Sequence, residues 1–101
     1  MRTILYYKIM EFKFSKEKNE VLIESRGISF DEVIEAIGKE GVLLEIEHPN
    51  QKKFPDQSMF VVNIDNYAYC VPYVKNGKVI FLKTIYPNRK FKHLINGEKN
   101  E

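Results

Sequence analysis

Ser58–Ile85 reads SMFVVNIDNYAYCVPYVKNGKVIFLKTI, and these 28 residues decide the fold. Three runs rich in Val, Ile, Tyr and Phe are separated by Asp65-Asn66 and Asn76-Gly77, the two-residue pairs that favour tight hairpins. The runs are therefore read as strands over 58–65, 67–74 and 78–85. With a further strand over 42–47, beyond the polar loop His48–Gln57, they predict a four-stranded antiparallel meander. Pro72 removes one ladder donor, so a bulge or an exposed edge is expected on its strand.

Charge divides the chain at the same place. Asn66–Gly97 holds six Lys/Arg and no Asp/Glu, whereas residues 1–65 hold nine Lys/Arg against twelve Asp/Glu. The net charge of +2 thus conceals an acidic front and a basic back. Tyr67, Tyr69, Tyr73, Phe81 and Tyr86 lie within the basic part. Cations and aromatic rings on adjacent strands suit a polyanion whose bases stack. An ordinary hairpin with solvated lysines is the alternative.

Upstream, Phe12–Phe14 alternates apolar and charged residues as a short strand does. Ser15 can cap a helix over 16–25, with Val21 and Leu22 inward and Arg26-Gly27 closing it. Ser29 and Glu32 form a capping box, and Phe30, Val33, Ile34 and Ile37 share one face of a second helix ended by Gly38 or Gly41. The pair makes a helical hairpin with its acidic side outward. Residues 1–9 are read as an extra strand or as an extension from an upstream start codon. Arg89–Ile95 is read as a short basic helix or ordered tail, and 96–101 as a frayed end.

The 101 residues fit one α+β domain, and 44% apolar content supplies a single small core. One cysteine, Cys70, excludes an internal disulfide framework, and no long apolar run or signal peptide is visible. A soluble cytoplasmic protein without membrane contact is expected. His48 and His93 are isolated, with no Cys-x-x-Cys pair, Gly-x-Ser-x-Gly elbow or glycine-rich phosphate loop, so neither metal nor cofactor is expected.

Cationic and phenolic chemistry remains. RNA can be cleaved without metal when its 2′-hydroxyl attacks the neighbouring phosphate, given a proton acceptor, a proton donor and positive charge for the transition state. Lys, Tyr, His and Arg can fill these roles. A lysine acting as base must be lowered from about 10.4 by burial or neighbouring cations.

Two segments carry a family resemblance. Phe12-Lys13-Phe14-Ser15-Lys16-Glu17-Lys18-Asn19 followed by Arg26-Gly27-Ile28-Ser29-Phe30-Asp31-Glu32-Val33, and the later Ile85-Tyr86-Pro87-Asn88-Arg89-Lys90, resemble the opening and the Arg-Lys motif of BrnT-type toxins. The resemblance implies a fold of the RelE/ParE superfamily, with two helices on a twisted antiparallel sheet. It also implies a type II toxin: a metal-independent endoribonuclease that blocks translation and forms a hetero-oligomer with a small DNA-binding antitoxin. Arg89 and Lys90 take the Arg-Lys positions, and Lys83 or Thr84 falls near a preceding basic one. On this reading Arg89 holds the scissile phosphate, Lys83 and Lys90 neutralise charge, Tyr86 or His48 transfers protons, and Tyr73, Lys75, Lys78 and Lys92 bind RNA. The antitoxin is expected to cross the sheet and the C-terminal segment. Gln57–Phe60 and Pro87-Asn88 depart from the family pattern. A non-catalytic module of the same fold, binding a partner protein or nucleic acid, is the alternative.

Overall fold

The computed structural model describes residues 4–96. In order, the elements are α1 (Ile4–Lys8), β1 (Glu11–Phe14), α2 (Lys16–Arg26), α3 (Phe30–Glu40), β2 (Leu44–Glu47), β3 (Ser58–Ile64), β4 (Tyr67–Asn76), β5 (Val79–Leu82), β6 (Tyr86–Pro87), a 3-10 turn (Arg89–Phe91) and α4 (His93–Asn96). Ile4–Lys8 is helical, so of the two readings of 1–9 the extra strand does not form over the described residues; residues 1–3 and the expected frayed end beyond Asn96 lie outside them.

The sheet is mixed and six-stranded, in the order β1-β5-β4-β3-β2 with β6 also on β4, and so is not a four-stranded antiparallel meander. Its antiparallel middle runs β2 to β5, but β1 adds to β5 in parallel, Phe12 facing Ile80 and Phe14 facing Leu82. Without β1, the outer edge of β5 would present unpaired backbone groups. The amide of Glu11 opens this pairing by donating to the Lys78 carbonyl at 2.7 Å.

Both tight turns form, one of them shifted. Ile64 faces Tyr67 across Asp65-Asn66, whose φ values of 53° and 64° are those of a type I′ hairpin. The second turn is Gly77-Lys78 rather than Asn76-Gly77, because Asn76 already faces Val79 and Gly77 takes the positive φ of 64°.

Pro72 sits in unbroken register with Met59, and β4 has no bulge. Its carbonyl accepts from Lys83 N at 2.8 Å, so the side lacking the donor faces β5. There the partner strand breaks. Leu82 faces Tyr73 and Tyr86 faces Cys70, which leaves one extra residue on the β5–β6 side. Arg26 donates from its guanidinium to the Ile85 carbonyl inside this break, tying the end of α2 to it.

The helices form as their caps dictate. Ser15 Oγ accepts from Lys18 N at 3.1 Å, and α2 ends at Gly27 (φ 68°). Ser29 and Glu32 complete the capping box of α3, which ends at Gly41, leaving Gly38 inside the helix. Asn19 Oδ1 accepts from Phe30 N at 2.7 Å and fixes the hairpin. Ser15, Asn19, Arg26, Gly27, Ser29 and Glu32 thus have structural tasks.

Apolar runs in β3 and β4 are buried on both faces of the sheet. One face meets the helices through Phe60, Val62, Val71, Tyr73, Ile80 and Leu82 against Leu22, Phe30, Val33 and Ile37. Val21, expected inside, is 54% exposed, since α2 buries only Leu22. On the second face Met59, Val61, Ala68 and Cys70 lie under Phe91, Leu94 and Ile95. The C-terminal segment is therefore a cover for one end of that face.

Candidate nucleic-acid interface

Strand alternation assigns the cations of the back half to particular surfaces. On β5, Ile80 and Leu82 point to the helices, so Val79 and Phe81 point to the second face, and Lys83, just past the strand, lines one groove with them. The Lys83 ammonium lies 5.0 Å from the centroid of the Phe81 ring. Farther along the chain, Asn88 caps the 3-10 turn by accepting from Lys90 N at 3.0 Å on Oδ1. That cap leaves Arg89, Lys90 and Lys92 exposed while Phe91 turns inward. None of Lys83, Arg89, Lys90 and Lys92 makes an ion pair among the described residues.

Other expected residues lie elsewhere. Tyr73 is 4% exposed, stacked on Phe60 at 4.1 Å and donating to Glu45; it is a core residue and not a surface for bases, because its strand position faces the helices. Lys75 shares that parity at the hairpin end, and Lys78 occupies the turn, so both stand at one tip of the sheet. His48 follows the edge strand β2. The register Glu47–Ser58–Tyr73–Leu82 puts three strand spacings between it and the β5 end, roughly 14 Å. Its Nδ1 accepts from Asn50 N at 3.0 Å and its ring lies 4.5 Å from that of Phe54, so it organises its own loop.

Tyr86 is half-buried with its hydroxyl 3.3 Å from Met59 Sδ, and it faces Cys70 across β4–β6. Burial, with Cys70 beside it, raises the Tyr86 phenol above its ordinary value. Burial also raises the Cys70 thiol, against opposing hydrogen bonds from Asn88 and Tyr86. Both groups hold their protons at neutral pH. The structure thus leaves Lys83, Arg89, Lys90 and Lys92 exposed, holds His48 three strand spacings from the β5 end, and does not lower the Tyr86 phenol toward a base's range.

Reasoning from sequence missed Lys13, which belongs to the acidic front but is the register partner of Phe81. The Glu-Phe-Lys-Phe alternation turns Lys13 outward; its neighbour across the sheet depends on the parallel pairing, which has no local signal. The opposite side of the molecule is acidic: Glu32, Glu35, Glu40 and Asp65 surround a cleft of ≈ 340 Å³ between α3 and the β3–β4 turn, with Lys39 at its rim. Burial and then Tyr67, Asp65 and Glu32 raise the Tyr69 phenol nearby.

No protein family, curated protein or solved structure matches this chain. No helix among the described residues is long and apolar enough to cross a membrane, and no three His, Cys, Asp or Glu residues among them are grouped to hold a metal ion.

Proposed function

We propose that this chain is an RNA-binding module of toxin-like type that takes the phosphate backbone on the second face of its sheet. One observation carries the reading: Lys83, Arg89, Lys90 and Lys92 are exposed and make no ion pair among the described residues, while the acidic cleft lies on the helix side. Phosphates replace counterions at such cations, whereas the acidic side repels them. The protein works in the cytoplasm, and an antitoxin segment of acidic, amphipathic character covers the same cations with carboxylates.

The second reading is the metal-independent endoribonuclease that the resemblance to BrnT-type toxins implies. It is favoured by the exposure of Arg89 and Lys90, the two motif positions, at the start of a capped turn. It is disfavoured by the remote His48 and by the raised phenol of Tyr86. Incubating the purified chain with a labelled single-stranded RNA, and inducing it alone in cells, separates the two. Binding with intact RNA and no growth arrest is the expected result; cleavage and arrest that Arg89→Ala abolishes would make the protein an enzyme.

A further inference from the structure

The open end of the second face holds one more feature. Lys13, Val74, Asn76, Val79, Phe81 and Lys83 line a groove of ≈ 430 Å³, within the range of small-ligand sites. Phe81 is its centre. Register places Lys13 beside it on β1 and Val74 beside it on β4, while Val79 and Lys83 flank it along its own strand. Among the described residues, Phe91, Leu94 and Ile95 pack on Met59, Val61, Ala68 and Cys70, and none of the C-terminal segment lines this groove. The half-buried ring borders the groove with the exposed Lys83 ammonium 5.0 Å from its centroid, which a stacking base would displace toward its phosphate, and with Lys13 on the neighbouring strand.

We infer that this groove is a nucleobase subsite: one unpaired base of a single-stranded RNA stacks on Phe81 while Lys13 and Lys83 take the phosphates on either side. The inference rests on the RNA-binding reading above and adds to it a place for a base. A purely apolar ligand would not use the two flanking cations, and a bare polyanion would not use the ring. A nucleotide uses both. The Lys13 ammonium is 3.6 Å from Glu11, but that pair is more than half exposed on both sides, so a phosphate can compete for the cation.

The test uses the full chain and a short oligoribonucleotide carrying 2-aminopurine, whose fluorescence is quenched by stacking. Quenching is expected with the wild type and with Phe81→Tyr, which keeps the ring. Phe81→Leu should abolish the quenching and weaken binding about tenfold, as loss of one base stack does. Its salt dependence should not change, because no phosphate contact is removed. Polyphosphate should bind wild type and Phe81→Leu alike. RNA bound equally by both, with quenching retained in Phe81→Leu, overturns the subsite but leaves the RNA-binding reading standing. An acidic peptide whose binding alone depends on Phe81 overturns it in favour of a peptide groove, and absence of any RNA binding overturns both.

Discussion

Tyr73 donates its phenol hydrogen to one carboxylate oxygen of Glu45, which holds beneath the helices an aromatic side chain from the most basic part of the sequence. Tyr7 donates to the other oxygen at 3.1 Å, so a single carboxylate joins α1, β2 and β4. Glu45→Ala takes that acceptor from two largely buried phenols and should cost about 1–3 kcal/mol. Tyr73→Phe keeps the stack on Phe60 and should cost about 1 kcal/mol. Urea midpoints at unchanged slope measure both. A wild-type midpoint for Glu45→Ala would show that the network contributes nothing.

Two glycines should respond in opposite directions. Gly38 lies inside α3 with ordinary φ and open space at its Cβ position, so Gly38→Ala should stabilise by about 0.5–1 kcal/mol. Gly27 ends α2 at φ 68°, where an alanine is strained despite equal space, and Gly27→Ala should destabilise by about 1 kcal/mol. Thermal unfolding of the two variants checks the signs; a lower midpoint for Gly38→Ala would mean that the helix does not continue through that position.

These positions show what was legible in the sequence. The caps at Ser15 and Ser29 and the Asp65-Asn66 turn are local devices whose chemistry is complete within a few residues. The β1–β5 pairing joins segments separated by two helices and three strands, so no short-range pattern announces it. For the same reason Lys13 could not be placed beside Phe81. Tyr73 is expected among the RNA-binding residues, yet strand parity puts it under the helices. Pro72 marked a real interruption, and the structure accommodates it in the partner strand.

Stability should fall at alkaline pH in two stages. The Cys70 thiol is raised from 9.0, and the Tyr69 and Tyr86 phenols from 10.0, in each case chiefly by burial. Below those ordinary values folded and unfolded chains are alike in binding these protons, and nothing is lost. Above them the unfolded chain releases its protons first, so unfolding gains relative to folding. Denaturant midpoints should therefore begin to drop near pH 9 and drop more steeply above 10. Cys70→Ala should lose stability at pH 7 and flatten the first stage; an unchanged first stage would assign it to another group.

The most direct test of the central claim is the salt dependence of single-stranded RNA binding in wild type and in Lys83→Ala, Arg89→Ala and Lys90→Ala. Plotted as logarithms, affinity against salt should be a falling line, shallower by about 0.7 for each phosphate contact removed. Lys39→Ala, on the acidic side, should leave the line unchanged. Binding indifferent to salt, or slopes that the three second-face variants share with the wild type, would contradict an RNA interface on this face.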